Sequence, residues 1–156
     1  MTISELVETE DWKSFNSKLE FYSSIMFVIG FVFLLLKIGK PTTIFVAGLS
    51  SMTLTYFFIG FNRLKSDSNI LSTSFYKVHG WSMALGYLSI MFGFLKWPFP
   101  VIECFYISSI GLLISLIMGV RAINNGLEIA KKNLYFIRLI VTAGFMAYSY
   151  LHLMLF

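Results

Sequence analysis

Five apolar runs, separated by short polar intervals, set the pattern of this chain: Leu19–Leu36, Thr42–Phe61, Val78–Leu95, Phe99–Val120 and Tyr135–Phe156. Each is about 18 to 22 residues long, and a helix of that length rising 1.5 Å per residue matches a hydrocarbon slab of about 30 Å. The pattern predicts an all-α polytopic membrane protein with five transmembrane helices. Two polar intervals, Lys37–Pro41 and Lys96–Pro100, are so tight that the runs they join must form antiparallel hairpins. The expected architecture is therefore two hairpins plus one further helix. Prolines suit these places because a first-turn amide has no helical partner to lose. The other two connections, Asn62–Lys77 and Arg121–Asn133, are longer and polar, the second broken at Asn124, Asn125 and Gly126.

Ahead of the first run, residues 1–18 form an amphipathic cytoplasmic segment leading into a transmembrane domain that fills 19–156. Ile3, Leu6, Phe15 and Leu19 recur near helical spacing, Thr2 and Glu5 have the spacing of a capping box, and Trp12 suits the headgroup layer. Its acidic residues Glu5, Glu8, Glu10 and Asp11 argue against a secretory signal and against an affinity for anionic lipid.

Composition narrows the class. At 57% hydrophobic and 13% charged, the 156 residues depart far from the soluble norm of about 25% charged, which excludes a water-soluble fold. Five spans consume the length, so there is one domain and no separate catalytic unit. The single cysteine, Cys104, has no partner for an internal disulfide and reads as a packing residue.

Charge then sets orientation. One side of the expected topology carries Lys13, Lys18, Arg63, Lys65, Lys77, Arg121, Lys131, Lys132 and Arg138, the other only Lys37, Lys40 and Lys96. That bias places the amino terminus in the cytoplasm and, with an odd number of spans, the carboxyl terminus outside. The net charge of +4 is a topology signal, since the basic residues are dispersed over helix ends; no nucleic-acid partner is expected.

The hairpins resemble one another. A shift of 59 residues aligns Ser23 with Ser82, Phe33 with Phe92, Leu36 with Leu95, Lys37 with Lys96, Pro41 with Pro100, Ser50 with Ser109, Leu54 with Leu113 and Gly60 with Gly119. Leu-Lys-x-x-x-Pro recurs at both turns, which implies a parallel repeat about an axis along the membrane normal. Small residues mark the packing faces: Ser82, Gly86, Ser89 and Gly93 on the third span, and Ser108, Gly111, Ser115 and Gly119 on the fourth. Ala47, Ser51 and Thr55, and Ala143 with Ala147, make weaker versions on the second and fifth. Packing within the chain is the leading reading of these faces; an oligomer interface is the other.

Ionisable groups inside a membrane are the default site, because charge there is expensive. Glu103 and His152 should share a depth near the outer surface, and Lys96 follows close by, so the three make a candidate polar cluster able to hold a proton or cation. Alternatively Glu103 snorkels outward and complements the helix N-terminus. At the cytoplasmic ends of spans one, three and five stand Glu20, His79 and Arg138, which either pair or, as the leading expectation, reach water independently. Enzymatic chemistry has no carriers: His-Glu-x-x-His, Gly-x-Ser-x-Gly, paired carboxylates and cysteine pairs are all missing. His79 and His152 fall on opposite sides and cannot jointly ligate a haem iron. No metal or cofactor is expected.

The stretch Ile29-Gly30-Phe31-Val32-Phe33-Leu34-Leu35-Leu36-Lys37-Ile38, followed by Pro41 and a second apolar span, resembles the transmembrane hairpin of the GldL family of bacterial gliding and type IX secretion motor proteins. The resemblance covers about forty residues, twice, and implies a hairpin architecture in a bacterial inner membrane. In that family the hairpin's lysine, matched by Lys37 and Lys96, and a glutamate of the second span matter for proton-driven rotation; Glu103 lies nearer the turn than that glutamate. Where the family has a histidine after the lysine and a glycine after the proline, this chain has Lys40 and Thr42, then Phe99 and Val101, and the family's long cytoplasmic domain has no counterpart. The sequence thus supports a non-enzymatic subunit or accessory protein, meeting lipid and either a membrane-protein partner or its own copy. A small transporter, channel or pore is the competing class.

Overall fold

A computed structural model describes residues 10–37, 41–61, 70–125 and 132–155, and among these the regular structure is helical throughout. Five helices follow in order: α1 (Glu10–Leu36), α2 (Pro41–Ile59), α3 (Ile70–Phe94), α4 (Pro98–Asn124) and α5 (Lys132–Leu155). The expected amphipathic lead-in enters α1 without a break from Glu10 onward, with Trp12 half-buried against Phe58 of α2 at 5.1 Å between rings. Thr2, Glu5, Lys40, Arg63, Lys65 and Lys131, used above for capping and topology, lie outside the described residues.

Contacts fix the helix directions. Gly30 meets Phe45 and Gly48 meets Phe27, so α1 and α2 run antiparallel. Gly111 meets Ser82 and Ser108 meets Gly86, so α3 and α4 do too. The pairs Gly80 with Gly60 and Ser50 with Met91 make α2 and α3 antiparallel as well. By contrast, α5 runs parallel to α3, because Gly86 meets Thr142 and Gly93 meets Ser149. The starts of α1, α3 and α5 therefore gather at one end of the bundle. After both α1 and α3 the chain turns through a lysine in the left-handed region, Lys37 at φ 55° and Lys96 at φ 58°.

α3 is the central helix, packed on α2, α4 and α5, while α1 packs on α2 and meets α5 through long side chains. Where glycines allow it, backbones touch: a Cβ on Gly30 would sit 2.6 Å from the Phe45 amide nitrogen, and one on Gly48 2.6 Å from that of Phe27. Such approach maximises dispersion between helices where lipid offers no hydrophobic drive.

The distribution of polarity is inverted relative to a soluble bundle. Ser108 and Ser115 of α4 are fully buried, whereas Ile107, Ile110, Ile114 and Ile117 of the same helix are exposed. Likewise α5 buries Thr142 and Ser149 and exposes Ile137, Ile140 and Leu151. Water would penalise that surface, and hydrocarbon favours it. Four of the helices are long and apolar enough to cross a membrane: Ser14–Leu36, Thr42–Ile59, Pro100–Asn124 and Leu134–Leu155. The protein is an all-helical integral membrane protein in these coarse terms.

Candidate functional site

At the end where α1, α3 and α5 begin, polar side chains converge. Arg138 of α5 forms an ion pair with Glu20 of α1 at 2.8 Å, and the Tyr56 hydroxyl of α2 donates to the same Glu20 oxygen at 2.8 Å. Tyr56 is 1% exposed; the Glu20 side chain keeps 13% of its surface and Arg138 29%. This corrects the expectation that Glu20 and Arg138 reach water independently. Parallel α1 and α5 bring their first membrane turns face to face, and a charge in that setting is stabilised far more by an opposite charge than by partial hydration.

His79, the third group of that set, belongs to a neighbouring neutral arrangement. Its Nδ1 lies 3.1 Å from Ser115 Oγ of α4, and Ser115 Oγ is 2.8 Å from the Tyr135 hydroxyl of α5. Tyr135 in turn donates to the Ser115 carbonyl at 2.6 Å. Its ring is tilted against His79 with centroids 4.7 Å apart, and His79 is 4% exposed. Deeper in the bundle Tyr87 packs on Tyr56, ring centroids 5.4 Å apart, and accepts a hydrogen bond from Thr142 at 3.2 Å. Glu20, Tyr56, His79, Tyr87, Ser115, Tyr135, Arg138 and Thr142 thus draw on all five helices.

The opposite end is aromatic. Phe27, Phe31, Phe45, Phe94 and Phe145 interlock, with Phe31 edge to face against Phe94 at 5.9 Å and Phe45 against Phe94 at 5.0 Å. Here lie the outer candidates. His152 stacks on Phe94 at 5.3 Å and is half-buried. Lys96 is exposed in the turn after α3. Glu103 is exposed on the face of α4 that carries Ile107, Ile110 and Ile114.

The small-residue faces of α3 and α4 are occupied within the chain. A Cβ on Gly111 would collide with Ser82 Oγ, on Gly86 with Met146 and Ser108, on Gly93 with Ser149, and on Gly119 with Tyr135. Ser108 donates to the Ser82 carbonyl at 2.7 Å, and Ser89 is fully buried. Ala143 and Ala147 differ: both are exposed on α5 beside Gly144, whose Cβ position meets nothing within 4 Å.

Sequence reasoning missed Tyr56, Tyr87, Tyr135 and Thr142 as members of the inner network. One signal was available. Tyr135, Arg138, Thr142, Ser149 and His152 recur at helical spacing along one side of an otherwise apolar helix, and that stripe marks the face α5 turns inward. Comparison with protein-family models, with curated proteins and with solved structures finds no match to this chain.

Proposed function

We propose that the chain is a five-span, non-enzymatic membrane subunit with a cytoplasmic amino terminus, which seats one helix of a partner membrane protein on the outer face of α5. The observation that carries this is Gly144. Every other described glycine has a neighbour against its Cβ position, whereas Gly144 faces open space between exposed Ala143 and Ala147. A glycine in a helix interior is about 1 kcal/mol worse than alanine, and small residues in membrane helices serve close backbone approach. A lipid-facing stripe gains nothing from them; a docked helix does.

The fifth span is α3. Its 25 residues extend about 37 Å, and it runs antiparallel to α2 and α4, which are both long and apolar enough to cross. The duplicated-hairpin reading is supported by the shared left-handed Lys37 and Lys96 and by packing register. A shift of 59 residues carries the Phe27 and Gly48 contact onto Gly86 and Ile107, one residue from the contact of Gly86 with Ser108. The GldL-like hairpin and the bacterial inner membrane remain part of this proposal.

The test is a photo-reactive side chain placed in turn at Ala143, Ala147 and, as control, Ile117 of α4, in native membranes. A discrete adduct from the α5 positions, lost in Gly144→Leu, supports the reading, and two differently tagged copies distinguish a partner from a second copy. Equal, diffuse labelling of all three positions refutes it. The transporter reading rests on the outer Glu103, His152 and Lys96 cluster. In liposomes Glu103→Gln separates the two classes, because an outer-cluster transporter loses flux and a docking subunit is unaffected.

A further inference from the structure

The 59-residue shift that relates the two turns also carries Glu20 onto His79 and Tyr56 onto Ser115. Those residues are the hydrogen-bonded partners within each hairpin. Tyr56 donates to Glu20 at 2.8 Å, joining α2 to α1, and Ser115 lies 3.1 Å from His79, joining α4 to α3. Each hairpin therefore holds one side-chain hydrogen bond at the same level, between an ionisable group on its first helix and a hydroxyl on its second. α5 then meets both from a single turn: Arg138 pairs with Glu20, and Tyr135, three residues earlier, bonds Ser115.

We propose that these are two arms of one duplicated polar clasp, by which α5 grips each hairpin separately, and that the Arg138–Glu20 arm is the releasable one. The equivalence of the arms rests on the two-hairpin reading above; the contacts stand without it. Three features separate the arms. Arg138 and Glu20 keep 29% and 13% of their surface, so the bundle holds their charges while α1 stays in place and water reaches both once α1 swings away, whereas Ser115 is fully buried, His79 is 4% exposed and Tyr135 5%. Opening the neutral arm strands buried hydroxyls, each costly to leave unmet. Finally, α4 and α3 meet α5 at close quarters, through Gly119 on Tyr135 and Gly93 on Ser149, while α1 reaches α5 through Glu20, Phe27 and Phe31. Parting α1 from α5 leaves the backbone packing of α1 on α2 intact. The first hairpin can then swing about its α2 contact with α3, at Gly60 and Gly80, while the second stays fixed to α5.

Spin-label distances in the full chain in lipid nanodiscs test this, with Cys104→Ser as background. One label pair at Tyr22 and Val141 reports α1 against α5, and another at Val120 and Ile137 reports α4 against α5; all four positions are exposed. Glu20→Gln and Arg138→Gln should lengthen or broaden the first distance and leave the second unchanged, and Glu20→Arg with Arg138→Glu should restore it. Tyr135→Phe should shift the second distance. An unaltered first distance in both single variants overturns the proposal, and so does an equal change in both distances. If the variants do not fold, hydrogen exchange on the unmutated chain decides: the start of α1 should exchange ahead of the starts of α3 and α5, and equal protection of all three overturns the releasable arm. None of these readouts requires the partner proposed for α5, so failure of docking and failure of the clasp are separable.

Discussion

Removing the two charges of the inner network one at a time and together measures what their pairing contributes. Arg138→Met leaves the Glu20 carboxylate only 13% exposed, with the Tyr56 hydroxyl still donating to it. Breaking a buried pair from one side costs about 3–5 kcal/mol; the remaining hydrogen bond and slight hydration place this variant near about 3 kcal/mol. Glu20→Leu is milder. Arg138 keeps 29% exposure and a long stem that reaches the headgroups, so the main penalty is the Tyr56 hydroxyl, buried and left without its acceptor, worth about 1–2 kcal/mol. The double variant removes both charges and retains only that hydroxyl penalty, again about 1–2 kcal/mol. The double change should thus be more stable than Arg138→Met alone, with a coupling of about 3 kcal/mol, the hydroxyl penalty being common to Glu20→Leu and the double change. Exposed pairs yield only about 0.2–1 kcal/mol in such cycles, so the size of the coupling decides between a paired interior and two solvated ends. Reversible unfolding in mixed micelles, followed by tryptophan fluorescence, supplies the four stabilities. Additive single effects, with coupling below about 0.5 kcal/mol, would refute the argument that the bundle rather than water solvates these charges.

Gly30→Ala and Gly48→Ala should each destabilise by about 1–3 kcal/mol in the same assay, because the new methyl meets partner backbone that no rotamer change relieves. Gly144→Ala should instead stabilise by up to about 1 kcal/mol, helix propensity being the one term that changes where nothing lies within 4 Å; a loss there would show that the face is already occupied. Tyr135→Phe should cost about 1–2 kcal/mol, since it removes the hydroxyl bonded to both Ser115 Oγ and the Ser115 carbonyl. Cysteines introduced near the two chain ends, in a Cys104→Ser background, should react with an impermeant thiol reagent from opposite faces of sealed vesicles; same-side labelling would remove the five-span topology.

The helices and their two tight turns were legible because length and apolarity are read directly from consecutive residues. The shared Leu-Lys-x-x-x-Pro puts a lysine at each helix end, and both lysines, Lys37 and Lys96, take a left-handed backbone. The convergence of side chains was less legible, for a physical reason. Whether Glu20 faces Arg138 depends on α1 and α5 being neighbours in space, and 118 residues separate them in the chain. No local periodicity encodes that adjacency. The polar stripe of α5 shows which side of the helix turns inward but not which helix waits there. Tyr56 carries the same lesson: a tyrosine near a span end suits the interface as well as a core, and its burial against Tyr87 with its hydroxyl on Glu20 distinguishes the two.

α3 shows why hydropathy and position in the bundle diverge. It carries His79, Ser82, Gly86, Ser89 and Gly93, and it is not among the four helices whose length and apolarity alone qualify them to cross. Yet α2, α4 and α5 surround it, and most of its side chains from Phe75 to Gly93 are buried or half-buried. A helix solvated by other helices has no need of lipid-compatible side chains where its polar groups find partners there, as His79 and Tyr87 do, though the buried Ser89 hydroxyl has none among the described residues. His79 finds Ser115, and Tyr87 finds Thr142. The helix without a sufficiently apolar span-length stretch is therefore the one that the other helices enclose, and its polar contacts tie it to its neighbours.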